Sequence, residues 1–132
     1  PFLPLHPGKY AKMLGEKMQV HKVNVWMINT GWTGGAYGTG SRMKLKYTRS
    51  MITAALEGKL NDVEFEADPI FGFGIPKECP DVPTEVLNPI NTWTDKTAFK
   101  EKSKYLAGLF VKNFDKYADG VTEEVLAAAP KA

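Results

Sequence analysis

Between Gly31 and Gly40 the chain places five glycines in ten residues. From Arg42 to Arg49 it places four cations, Arg42, Lys44, Lys46 and Arg49, with no acid among them. The two patterns serve one chemistry. Glycine lets the backbone take positive φ and come close to a ligand, and clustered cations attract negative charge. An apolar run, Val23 to Ile28, leads into the loop, and a helical pattern leaves it at Thr48. A strand, a glycine-rich loop, a basic segment and a new helix N-terminus, in that order, suit an anionic ligand.

The spacing excludes two familiar phosphate loops. No glycine here is followed by lysine and then serine or threonine, as a P-loop requires, and the glycines do not fit Gly-x-Gly-x-x-Gly. On residue types alone a second reading stays open: a plain turn, with Trp32 and Tyr37 pinning the loop to a core.

The wording of the segment is more specific than its composition. Asn-Thr-Gly-Trp-Thr-Gly-Gly-Ala-Tyr-Gly-Thr-Gly-Ser-Arg (29–42), continued by Lys-Tyr-Thr-Arg (46–49), closely resembles the ATP-dependent phosphoenolpyruvate carboxykinases. Further matching phrases are Phe2-Leu3-Pro4-Leu5-His6-Pro7, Ile75-Pro76, Leu87-Asn88-Pro89 with Asn91-Thr92-Trp93, and Asn113-Phe114-Asp115-Lys116-Tyr117. They run in order over nearly the whole chain. The chain looks like only the C-terminal part of such an enzyme, residues 1–132 being a segment of its nucleotide-binding domain.

The resemblance implies that the parent decarboxylates oxaloacetate and transfers the γ-phosphoryl of ATP to the resulting enolate, using Mg²⁺ and Mn²⁺. In the family a lysine-bearing phosphate loop, a Lys/His/Asp metal site and carboxylate-binding arginines do this work, in segments that precede the part matched here. No catalytic residue and no metal ligand is therefore expected in this chain. What it implies here is the base and ribose side of the ATP site. Arg42, Met43 and Thr48 match the arginine, apolar residue and threonine that contact ATP in the family. A guanidinium plane can stack on adenine. The Met43 backbone can meet the base edge, and the Thr48 hydroxyl can both donate and accept. Met43 stands where isoleucine is common, Ser41 replaces a lysine of some members, and Tyr47 replaces an aspartate of some. A rival from another class is a non-catalytic nucleotide- or anion-binding module built from the same segment.

The elements that would position these residues are legible as patterns. Tyr10, Met13, Leu14, Lys17 and Met18 recur at helical spacing behind Pro7, which predicts a helix over 7–20 after an irregular, proline-rich start. The run 24–29 reads as a strand buried on both faces. Residues 42–47 alternate basic and apolar, which predicts a short half-exposed strand. Thr48 reads as an N-cap for a helix over 49–57, closed by Gly58 at C′. Residues 63–67 and 70–75 read as short strands. Four prolines over 76–93 read as a long surface crossing without regular structure. A helix over 95–117, capped by Thr94, carries an apolar stripe of Phe99, Leu106, Leu109, Phe110, Phe114 and Tyr117 for the core. Thr122 starts a last helix over 123–128. The fold class expected is α/β, a mixed sheet with flanking helices.

Composition is ordinary for a soluble domain, with 43% hydrophobic and 24% charged residues in 132. That length can bury a core. No apolar run approaches the ~20 residues of a membrane span, so no membrane partner is expected. A net charge of +2 makes nucleic acid a weak expectation. The charge is uneven: residues 1–56 hold eight Lys/Arg against Glu16 alone, and residues 57–132 hold nine against fourteen acids. The single Cys79 excludes an internal disulfide and fits the cytoplasm. His6 and His21 have no second ligand at metal spacing, which leaves them surface or capping roles.

Overall fold

The computed structural model describes residues 4–131. Pro1, Phe2 and Leu3, where the irregular start and the first matching phrase were expected to begin, lie outside the described residues.

Helix α1 covers Pro7–His21. Pro7 supplies the fixed φ of a first helical residue, and the His6 ring accepts from the Gly8 amide at 3.1 Å, so of the surface and capping roles left open to it His6 takes the cap. The expected strand at 24–29 does not form: residues 23–30 have no strand partner among the described residues. Val23, Val25 and Met27 are exposed, Met27 to 78%, while Trp26 and Ile28 are half-buried.

Strands β1 (Trp32–Thr33) and β2 (Ser41–Arg42) pair antiparallel, so the glycine-rich stretch is a hairpin. Helix α2 then covers Leu45–Leu56. It begins three residues before Thr48. The helical repeat of Met51 and Ala55 continues backwards through Thr48, so the alternation over 42–47 yields to it after Arg42. Lys44 is the N-cap and makes no side-chain cap bond; Thr48 lies inside the first turn. At its far end α2 closes as expected. Gly58 at φ +71 is the C′ residue, its amide reaching the Ala55 carbonyl at 3.3 Å and the Lys59 amide the Ala54 carbonyl at 2.9 Å. Those two bonds form a Schellman closure.

β3 (Phe65–Ala67) and β4 (Gly74–Pro76) form a second antiparallel ribbon. The expected strand over 70–75 is shortened because Asp68 makes a turn: its carboxylate accepts from the amides of Ile70 (2.9 Å) and Phe71 (2.6 Å). Residues 76–93 are more ordered than a surface crossing. They hold a short helix, α3 (Thr84–Leu87), and a 3₁₀ turn at Pro89–Thr92, and they carry Cys79 and Val82 into the core. Prolines open these turns rather than preventing them.

Helix α4 covers Lys96–Phe114 and runs on into a 3₁₀ turn at Asp115–Tyr117. Its cap is Asp95, not Thr94: the Asp95 carboxylate accepts from the amides of Thr97 and Ala98 at 2.8 and 3.0 Å. The buried residues of α4 are Ser103 and Ala107. Leu106, Leu109 and Phe110 of the expected core stripe are exposed, and Phe99, Phe114 and Tyr117 are half-buried. α5 (Glu123–Ala127) follows Thr122, whose hydroxyl accepts from the Val125 amide at 3.4 Å.

Helices and short antiparallel strands thus share the chain, an α/β composition, but the strands form two separate ribbons instead of one mixed sheet. The core is small: Ala54, Leu60, Cys79 and Val82, bordered by Trp26, Tyr47, Met51, Val63 and Val86. The accessible surface is 10163 Å², against about 6,900 Å² for a closed monomer of this mass. Much of the apolar surface therefore stays open.

Candidate functional site

The hairpin owes its shape to close backbone contacts. The Asn29 side chain accepts from the Gly31 amide at 2.8 Å and donates to the Trp32 carbonyl at 3.1 Å, which sets up the first strand. The Met43 amide donates to the Gly31 carbonyl at 2.7 Å and closes the second strand onto it. At the tip the amides of Thr39 and Gly40 both donate to the Ala36 carbonyl. A Cβ at Gly40 would run into the carbonyl oxygens of Gly35 and Thr33, so that position admits only glycine. Trp32 and Tyr37 do not pin the loop to a core. They pack edge to face on each other, centroids 5.2 Å apart, and Tyr37 is 84% exposed.

The three residues matched to the nucleotide site fall within one hairpin-to-helix junction. Arg42 ends β2, exposed, directly across from Trp32. Met43 turns the other way, as neighbours on a strand must. Its side chain is 7% exposed and lines a cavity of about 720 Å³. Thr48 is also 7% exposed, on the core side of α2. The structure therefore brings Met43 and Thr48 to the interior and leaves Arg42 on the surface. The capping role expected of Thr48 is corrected: Lys44 holds the cap position, and the Thr48 amide already bonds to the Lys44 carbonyl at 3.2 Å.

Electrostatically the junction is unusual. The first turn of α2 contains no acid and its cap supplies no side-chain acceptor. Lys44 and Lys46 stand at the positive end of the helix dipole, and each like charge there costs about 0.3–1 kcal/mol at low ionic strength. The Lys44 and Lys46 ammoniums lie over the Tyr47 ring, 5.8 and 4.9 Å from its centroid, which offsets part of that cost. An anion beside the junction would relieve the rest.

Thr92 was missed by sequence reasoning. It accepts from the Gly34 amide and from Thr33 Oγ1, 58 and 59 residues away, and so anchors the hairpin to the 3₁₀ turn. It sits in one of the phrases that carry the resemblance, but nothing local in the sequence announces a partner so distant. Among the described residues, no three His, Cys, Asp or Glu side chains gather where they could hold a metal ion, and no helix is long and apolar enough to cross a membrane.

A model of the phosphoenolpyruvate carboxykinase family matches residues 1–85, well over half of the chain. The chain belongs to that family. Its similarity to curated members extends further. It is 58% identical over 130 residues to the phosphoenolpyruvate carboxykinase (ATP) of Christiangramia forsetii, covering 98% of this chain and 24% of that protein. It is 58% identical over 130 residues to the carboxykinase of Flavobacterium johnsoniae, with the same coverage. It is 53% identical over 131 residues to that of Thermus thermophilus, covering 99% of this chain and 25% of that one. The chain thus spans about a quarter of the length of the carboxykinases it matches.

Proposed function

We propose that residues 1–132 form the C-terminal segment of the nucleotide-binding domain of an ATP-dependent phosphoenolpyruvate carboxykinase, and that they supply the base and ribose side of its ATP site. The observation that carries this reading is the exposed Arg42 at the end of the glycine hairpin, beside a helix N-terminus that has no side-chain cap bond and carries Lys44 and Lys46. Such a group stacks on adenine while its charge faces the phosphates. The Met43 amide is committed to Gly31, so the Met43 carbonyl is the group assigned to the base edge. Thr48 is assigned the adjoining polar contact.

The reaction follows from the family: oxaloacetate is decarboxylated and its enolate takes the γ-phosphoryl of ATP. Mg²⁺ and Mn²⁺ would neutralise the phosphates and the developing charge. The described residues do not fit a metal site, so both ions and the phosphate-binding lysine are assigned to the rest of the enzyme. That remainder is also the partner we assign to the exposed Val23, Val25 and Met27 and to the apolar cavity between 24–29, α2, the second ribbon and α4. A cytoplasmic setting is in keeping with the lone free Cys79.

The test uses the full-length enzyme carrying this segment. Arg42→Lys keeps the charge and loses the planar surface, so KM for ATP should rise while KM for oxaloacetate stays in place. An unchanged KM for ATP would remove Arg42 from the site. The isolated chain should show no oxaloacetate-dependent ADP formation and should bind ATP at roughly millimolar affinity or weaker. Micromolar binding without turnover would favour the non-catalytic binding module.

A further inference from the structure

The Thr92 hydroxyl has no capacity to spare. It accepts from the Gly34 amide at 3.0 Å and from Thr33 Oγ1 at 3.0 Å, and it donates to the Pro89 carbonyl at 2.8 Å. One hydroxyl carries one proton and two lone pairs, so three bonds exhaust it. The backbones meet at the same point. Gly34 is at φ +76, and a Cβ there would lie 3.1 Å from the Thr92 carbonyl oxygen. The hairpin therefore rests directly on the 3₁₀ turn.

That turn is itself held. The Asn88 side chain accepts from the Ile90 amide at 3.4 Å, and Trp93 packs edge to face against Phe99 of α4, centroids 5.5 Å apart. On the other side, Thr33 is the register partner of Ser41, the neighbour of Arg42. A continuous path runs from α4 through the turn and the Thr92 hydroxyl to Thr33, Ser41 and Arg42.

We propose that Thr92 is a positioning residue of the nucleotide site: its hydroxyl fixes the glycine hairpin on the 3₁₀ turn and thereby sets where Arg42 stands. This rests on the reading of Arg42 as an ATP contact. With its hydroxyl spent on Gly34, Thr33 and Pro89, Thr92 acts through the hairpin. A residue of the same shape without the hydroxyl leaves the Gly34 amide and the Thr33 hydroxyl without their acceptor, and the hairpin must move to recover bonds elsewhere.

The experiment compares Thr92→Val, Thr92→Ser and Arg42→Ala in the full-length enzyme carrying this segment. It reads KM for ATP, KM for oxaloacetate, and hydrogen exchange over residues 31–42. Thr92→Val is expected to raise KM for ATP about tenfold, to leave KM for oxaloacetate in place and to speed exchange in the hairpin. Thr92→Ser restores both. A normal KM for ATP in Thr92→Val, with a raised one in Arg42→Ala, overturns the positioning role and leaves the nucleotide reading standing. A normal KM for ATP in both variants overturns the nucleotide reading and the positioning role with it. A serine variant as impaired as the valine one shows that the methyl group matters rather than the hydroxyl, and also overturns the proposal. Should Thr92→Val not fold, Thr33→Val, which removes one of the three bonds, decides: a rise of a few-fold in KM for ATP supports the role, and no change overturns it.

Discussion

The Met43 amide donates to the Gly31 carbonyl at 2.7 Å, and this one bond joins the start of the glycine-rich hairpin to its end. It makes Trp32 and Arg42 a facing pair and, by strand alternation, sends the Met43 side chain inward. The surface cation and the buried thioether are thus set by the same closure.

Met43 is expected to matter for stability through its side chain and for the site through its backbone. Met43→Ala should cost about 2–5 kcal/mol, as truncation of a buried large residue does. Met43→Ile should cost under about 1.5 kcal/mol, and both keep the amide bond to Gly31. Denaturant midpoints of the full-length protein measure this. A loss for Met43→Ala within about 0.5 kcal/mol would be the behaviour of a surface position.

Two glycines should respond in opposite directions. Gly40→Ala forces a Cβ into the Gly35 and Thr33 carbonyls, and should destabilise by about 1–3 kcal/mol. Gly108 lies within α4, with nothing within 4 Å of an added Cβ. Gly108→Ala should stabilise by roughly 1 kcal/mol through helix propensity. Thermal melts of the two variants provide the comparison, and equal shifts of the same sign would contradict it.

Thr48 separates packing from recognition. Since Lys44 and not Thr48 caps α2, Thr48→Val should escape the roughly 1 kcal/mol loss of a removed N-cap. On the proposed reading it should still raise KM for ATP, while Thr48→Ser stays near the parent enzyme. A melting loss of cap size with unchanged ATP kinetics would return Thr48 to a purely structural role.

Cys79 should be slow to react. Burial, with the Asp81 carboxylate adding to it, pushes its thiol up from the ordinary value, and the thiolate is the reactive form. Alkylation of the folded protein near neutral pH should lag well behind that of the denatured chain. A raised thiol pKa also has a sign in stability. Its contribution is complete below the thiol's unfolded value and is lost as pH rises through the folded value. Cys79→Ala should flatten that alkaline loss. Equal alkylation rates in folded and denatured protein would show an accessible thiolate instead.

The local features of the fold were legible because their causes are local. Pro7 and His6 start α1, Gly58 ends α2 and Thr122 starts α5, each through contacts within a few residues. The proposal for the site has a different source: residues 29–49 carry a family-specific order of types, and the assignment of Arg42, Met43 and Thr48 rests on that order.

Short-range pattern failed where two local choices competed. Alternation over 42–47 predicted a strand, but the helical repeat through Thr48, Met51 and Ala55 claims Leu45 onwards. Thr94 was read as the cap of α4, but the carboxylate of Asp95, with two bonded amides, takes the position.

By itself, then, the sequence determined the family and the presence of α1, α2, α4 and α5, because these depend on residue identity and on bonds that close within one turn. Only the tertiary structure decided that 23–28 stays unpaired among the described residues, that Leu106, Leu109 and Phe110 of the α4 stripe lie open, and that Thr92 reaches Gly34 across 58 residues. Strand pairing, burial and a distant hydroxyl all require a partner surface, and a partner surface exists only once the chain is folded.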